Sequence, residues 1–177
     1  GDLNGKTVFV TGATGFVGGQ LVEQLVMHEG AKVRALIHTW NKAAYISRFD
    51  VEYVHGDIYD PEAMKAAMRG CDYVMHLAIT SGRTIDESIA NSEKAIDALM
   101  FAAKENGIKH IVNMSSVVVH GETVPVDLTA DSPLISYGDA YAAGKLAAEN
   151  RFWKLLDEYQ LHGSVIRPTY VWGPYSM

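Results

Sequence analysis

Val8-Phe9-Val10-Thr11-Gly12-Ala13-Thr14-Gly15-Phe16-Val17-Gly18 joins an apolar β-type run, three glycines at three-residue spacing and the opening of a helix. Phe16, Val17, Leu21, Val22, Leu25 and Val26 then recur at helical spacing, so one face of that helix can lie on a sheet. A strand, a tight turn and a helix N-terminus together present backbone N–H groups and a positive dipole end to an anion. In such a turn Gly12 permits the bend, Gly15 lets a pyrophosphate approach the backbone, and Gly18 allows close helix–strand packing. The alternative is a glycine turn that serves packing alone.

Outward from this loop, strand and helix alternate. Gly30 closes the first helix; Lys32 to His38 and Val51 to His55 read as strands. Asp60-Pro61-Glu62 opens a helix with a cap, a first-turn proline and an acid on the dipole. Tyr73 to Leu77 is a fourth strand. A long helix follows over Ile85 to Asn106, with Ile85, Ile89, Ile96, Leu99, Met100 and Ala103 inward and Gly107 as the stop. His110 to Met114 is a fifth strand and Ala140 to Tyr159 a long helix; Ser164 to Ile166 begins a sixth strand, stopped by Pro168. The pattern predicts an α/β fold with a doubly wound parallel sheet of the Rossmann type, whose ligands sit at the carboxyl ends of the strands.

The 177 residues, 48% hydrophobic with a formal net charge of -6, suit one domain. An acidic balance without a basic cluster argues against nucleic acid or a membrane surface as partner. There is no apolar run of membrane-spanning length, and the first residues lack a signal-peptide layout. Cys71 is the only cysteine, which makes a reducing cytoplasm the expectation. The seven histidines show no metal-ligand spacing, so no metal is expected.

Thr11-Gly12-Ala13-Thr14-Gly15-Phe16-Val17-Gly18 resembles the cofactor loop of the extended short-chain dehydrogenase/reductases, the group of the NAD-dependent epimerase/dehydratases and dihydroflavonol-reductase-like enzymes. The resemblance assigns Gly12, Thr14, Gly15, Phe16, Val17 and Gly18 to the dinucleotide, Gly56-Asp57-Ile58 to the adenine, and Leu77-Ala78-Ile79, after His76, to ribose and nicotinamide. Arg167-Pro168-Thr169-Tyr170-Val171-Trp172-Gly173-Pro174 resembles the segment passing the nicotinamide, with Pro168 and Tyr170 beside the cofactor. A solvated turn aspartate and a packed core histidine are the bland readings of Asp57 and His76.

Dinucleotide folds commonly hold the ribose 2′-hydroxyl with an acid roughly 20 residues beyond the glycine loop. Here Leu36-Ile37-His38-Thr39 stands there, with Ile37 where the NAD-type relatives carry Asp. Without that carboxylate a 2′-phosphate meets no repulsion, and His38, Thr39, Arg34 or Lys42 could contact it, so NADP is favoured over NAD.

Tyr141-Ala142-Ala143-Gly144-Lys145 is the Tyr-x-x-x-Lys pair of that family. Residues four apart share a helix face, and a nearby cation favours the phenolate, which suits Tyr141 to exchange a proton with a substrate oxygen and Lys145 to hold the ribose. Met114-Ser115-Ser116-Val117-Val118-Val119-His120-Gly121 resembles the serine segment, with Ser116 on the substrate oxygen; His120 stands where the family usually has tyrosine. Asn91 resembles the asparagine that supports the lysine through water, with surface capping as the alternative.

The resemblance runs from Thr7 to Pro174 and implies an NAD(P)-dependent oxidoreductase or epimerase acting on a secondary alcohol or ketone. Val117 and Val118 stand where the dehydratases have an acid, which favours reduction or epimerisation. The rival is a non-catalytic NADP(H)-binding sensor or scaffold. Family members continue into a smaller substrate domain, so residues 1–177 are expected to be the cofactor domain, with the substrate domain largely absent after 174 and turnover poor. Related proteins pair such long helices as a dimer core, so the resemblance implies a homodimer, the alternative being helices packed only on their own sheet. A small-molecule substrate is expected.

Overall fold

A computed structural model describes residues 2–123, 126–135 and 137–173, apart from the side chains at 41 and 42. Its strands are β1 (Thr7–Thr11), β2 (Lys32–Ile37), β3 (Val51–His55), β4 (Tyr73–His76), β5 (His110–Met114) and β6 (Gly163–Ile166). The α-helices are α1 (Phe16–Met27), α2 (Pro61–Ala67), α3 (Ile85–Glu105) and α4 (Ala140–Tyr159), with short 3-10 helices over Trp40–Ala43, Ile46–Arg48 and Val117–His120. All six strands run parallel in the order β3-β2-β1-β4-β5-β6. The order reverses between β1 and β4, and on such a sheet ligands enter the crevice at that switch point.

Strand alternation sorts the apolar run of β1 between two cores. Val8 and Val10 pack with Val22 and Leu25 of α1 and with Val33, Ala35 and Ile46. Phe9 packs on the other face with Met64, Met68, Ile96, Leu99, Met100 and Phe152, from α2, α3 and α4. Ile96, Leu99, Met100 and Ala103 are buried as their spacing predicts, but Ile85 is exposed: it opens α3 before the helix has reached the sheet. Among the described residues no helix is long and apolar enough to cross a membrane.

Among the described residues, three of the four α-helices begin with a side-chain cap. Asp60 accepts from the amides of Glu62 and Ala63, Thr84 from that of Glu87, and Asp139 from that of Ala142. The fourth, α1, has Gly15 in the capping position, no capping side chain and no acid in its first turn.

Candidate functional site: a cleft at the switch point and a serine–lysine centre beside it

The uncapped end of α1 opens on a large hollow at the carboxyl edge. This cleft, of about 920 Å³, is lined by the glycine loop, the ends of β2 and β3, and the segment after β4. Thr11 stitches the switch point together. Its carbonyl accepts from the Leu77 amide at 3.1 Å, and its buried hydroxyl bonds His76 Nδ1 at 2.8 Å and the Ala78 amide at 3.3 Å. Gly12 adopts φ +72°, and a Cβ there would lie 2.6 Å from the Ala78 nitrogen. Gly15 meets only the Gly12 carbonyl, at 3.3 Å, so its outer side stays open to the cleft. A Cβ on Gly18 would lie 2.0 Å from the Gly12 oxygen, so the helix is pressed onto the loop itself rather than onto a neighbouring strand.

Of the residues assigned to the cofactor, Gly12, Thr14, Gly15, Phe16, His38, Asp57, Ile58, Leu77, Ala78 and Ile79 line this cleft. Val17, Gly18, Tyr141, Lys145, Pro168 and Tyr170 do not; Tyr170 is almost wholly exposed, and Pro174 lies outside the described residues. Asp57 lines it while accepting from the Tyr59 amide, so it is at once a turn residue and a wall of the site. His76 is a core histidine: burial, with the Lys145 charge adding to it, lowers its pKa to about 3 and keeps it neutral.

At the far end of the cleft, Leu36 and His38 contribute walls, but Ile37 is buried in the core between them, because alternate residues of a strand face opposite ways. Arg34 is engaged elsewhere, donating to Glu52 and to the carbonyls of Ala67 and Arg69. The Lys42 side chain lies outside the described residues. The walls that sequence reasoning missed are Gln20, Tyr45 and Tyr59. The Tyr45 hydroxyl donates to Glu23 and accepts from Gln20, while the Arg48 guanidinium lies 4.2 Å above its ring.

The second hollow is small and lies under the serine segment. His76, Thr80, Ser92, Asn113, Ser115 and Lys145 are among its walls. Lys145 Nζ donates to the Met114 carbonyl at 2.9 Å and sits 5.9 Å from the centre of the Tyr141 ring. Burial lowers the Lys145 pKa to about 8. Tyr141, in the first turn of α4, stays 40% exposed. Ser116 is buried at the start of the 3-10 turn, its Oγ accepting from the Val118 amide at a long 3.4 Å, and so keeps its proton for another acceptor. Asn91 donates to the Ser81 carbonyl; α3 presents Ile96 and the polar Ser92, Asn91's neighbour, to the hollow beside Lys145, and Ser92 is bonded to Thr80 at 2.8 Å. His120 does not face either hollow. It is buried, bonded through Nδ1 to the Pro133 carbonyl.

Among the described residues no cluster of His, Cys, Asp or Glu side chains could hold a metal ion. The cleft has the parts a dinucleotide needs: free helix N–H groups, a glycine floor without side chains, and apolar walls at Phe16, Ile58 and Ile79.

Comparison with known proteins agrees with this geometry. The 2-alkyl-3-oxoalkanoate reductase of Stenotrophomonas maltophilia is 32% identical over 94% of this chain and 51% of its own length. Cinnamoyl-CoA reductase 1 of Arabidopsis thaliana is 28% identical over 96% of this chain and 54% of its own. The crystal structure of the dTDP-glucose 4,6-dehydratase DesIV from Streptomyces venezuelae, with NAD and TYD bound, superposes with a TM-score of 0.84 at 25% identity, over 96% of this chain and 57% of that one. The chain thus spans about half the length of such relatives. The model of one family matches residues 8–177, and the chain belongs to it: the NAD dependent epimerase/dehydratase family.

Proposed function

We propose that this chain is the cofactor-binding part of an NAD(P)-dependent oxidoreductase that transfers a hydride at a secondary alcohol or ketone, with NADP favoured over NAD. The observation that carries the reading is that α1 begins without a side-chain cap and opens on a cleft large enough for a dinucleotide, while α2, α3 and α4 are capped. The residues fit the group. The first-turn amides of α1 would hold the pyrophosphate, Asp57 and Ile58 would hold the adenine, and His38 would meet a 2′-phosphate without a competing carboxylate. The nicotinamide, when bound, supplies or accepts the hydride.

The chain's own residues manage the proton. Ser116 donates a hydrogen bond to the substrate oxygen, Tyr141 gives that oxygen its proton or removes it in the reverse direction, and Lys145 places a positive charge beside the phenol and the ribose. Reduction of a carbonyl is favoured over dehydration, since Val117 and Val118 place no acid after the serine and two relatives bear reductase names. Epimerisation is the neighbouring reading. A non-catalytic sensor is disfavoured, because it would gain nothing from a buried lysine set beside an exposed tyrosine. We further propose a cytoplasmic homodimer paired through α3 and α4, where exposed Ile85 and Trp153 support a contact. Light scattering tests the dimer.

The intact protein should oxidise NADPH with a 2-alkyl-3-oxoalkanoate, and Tyr141→Phe should retain NADPH affinity while kcat falls by about 10²-fold or more. A kcat within a few-fold of wild type would remove Tyr141 as the acid and favour the sensor. Turnover of a UDP- or dTDP-sugar with no net NADPH oxidation would favour the epimerase.

A further inference from the structure

Tyr141, Lys145 and Glu149 recur every four residues and form one stripe along α4. Glu149 is the third member, and the reaction does not use it. It has no exposed surface, yet it carries a charge: burial opposes ionisation, and the hydrogen bonds from Arg167 and Trp153, with the Ser115 hydroxyl close by, outweigh it and hold the carboxyl below its ordinary value. Arg167 reaches it through Nε at 3.1 and 3.2 Å and through a close Nη2 contact. The Ser115 hydroxyl makes no contact of strict hydrogen-bond geometry, but it lies near enough to the carboxylate to favour its charge.

A buried ion pair is weak evidence for stability, because apolar residues of similar volume commonly fill such a space at no loss. Its connections say more. The residues on either side of Arg167 are bonded to the serine turn: the Ser115 amide donates to Ile166 at 2.8 Å, and the Val117 amide to Pro168 at 3.1 Å. The other end of the Arg167 fork donates to the Ala130 carbonyl at 2.8 Å and to His120 Nε2 at 3.3 Å. Since Nδ1 of His120 faces the Pro133 carbonyl and must carry the proton there, Nε2 is free to accept. One guanidinium thus ties α4, the exit of β6, the end of the 3-10 turn and the loop at 130–133 to the backbone on both sides of Ser116.

We propose that Glu149, Arg167 and His120 are positioning residues that fix the Ser115–Val117 turn and so set the Ser116 hydroxyl for the reacting oxygen. This rests on the reading of Ser116 as a catalytic residue. It also gives His120 its place: an imidazole there presents an acceptor to the guanidinium that a tyrosine would not present in the same way.

Arg167→Lys separates the two roles of the network, since it keeps the charge pair and loses the planar fork. In the intact protein, reducing a 2-alkyl-3-oxoalkanoate with NADPH, it should keep Tm within a few degrees and leave NADPH affinity unchanged. Its kcat should fall at least about tenfold, as expected when a reacting group is displaced by a fraction of an ångström. Amide exchange should quicken at Ser115–Val117 and not in β1 or α1. In a Ser116→Ala background the same change should cost nothing further. Glu149→Gln repeats the measurements from the other partner.

An Arg167→Lys kcat within twofold of wild type with unchanged exchange would overturn the proposal, as would an undiminished loss in the Ser116→Ala background. Failure of both variants to fold would make the network a structural pin and also overturn it. If Ser116→Ala itself left kcat intact, the catalytic reading would fail instead, and local exchange alone would decide whether the clamp holds the turn.

Discussion

The glycine loop after β1 and the serine turn after β5 lie on the same carboxyl edge of one sheet and are built by opposite means. The loop is made of backbone: Gly12, Gly15 and Gly18 remove side chains so that amides, a carbonyl and a helix end can meet at van der Waals distance. The turn is made of side chains: Lys145, Glu149, Arg167 and His120 reach in from α4, from the β6 exit and from the turn itself to hold it. A backbone site tolerates no added atom but needs no charge. A side-chain site tolerates added atoms but depends on buried charges that must find one another. The two should therefore break differently.

Gly18→Ala is the harshest test of the first. Its methyl would meet backbone atoms, the Gly12 oxygen at 2.0 Å and the Ala13 Cα at 2.8 Å, and neither can swing aside. The loop must open, so NADPH affinity should fall by two orders of magnitude or more and stability by about 1–3 kcal/mol. Gly138→Ala is the control, with nothing within 4 Å of its Cβ and no positive φ; it should change stability by less than about 0.5 kcal/mol. Equal effects in titration calorimetry and thermal unfolding would show that close packing does not define the loop.

The same contrast explains what could be read in advance. The loop, the alternation of strand and helix, the cap at Asp60 and the helix stop at Gly107 are local patterns, decided by residues a few positions apart. Tyr45 and Gln20 are 25 residues apart, and Arg167 lies 47 residues from His120, so their meeting follows from the sheet order and from no local spacing. Two positions reached by counting have a neighbour, rather than themselves, in the wall of a hollow. On β2 a step of one moves from the cleft wall at His38 to the core at Ile37, and on α3 it moves from Asn91 to Ser92. Periodicity identifies a face, and only the packed structure says which face meets the site.

A smaller effect is expected at the end of the cleft walled by His38, where the proposed preference for NADP would rest on a side chain rather than on backbone. Wild type should bind NADPH more tightly than NADH. His38→Asp puts a carboxylate on the wall, repelling a 2′-phosphate and accepting from a 2′-hydroxyl, so the ratio of affinities should move about tenfold or more toward NADH. Ile37→Asp should instead destabilise the fold, because its carboxylate would be buried without a partner. An unchanged ratio in His38→Asp would remove the histidine wall from cofactor choice.

The mildest test uses the charge that the serine side must bury. Burial lowers the Lys145 pKa from 10.5 to about 8, so between those two values the unfolded chain holds a proton that the folded chain has released. Stability rises with pH wherever the unfolded state binds more protons, so this residue favours folding progressively more from about pH 8 to pH 10.5. Below pH 8 the lysine is charged in both states, and the cost of burying that charge is fully present. Lys145→Met removes the titration and leaves the other groups in place, so its Tm relative to wild type should be most favourable near pH 7 and decline toward pH 10. The decline should amount to a few degrees, since 1 kcal/mol shifts Tm by about 2–4 °C in a chain of this size. A difference in Tm that stayed constant from pH 7 to pH 10 would mean that Lys145 remains protonated throughout, solvated more like the open cleft than like the buried turn it holds.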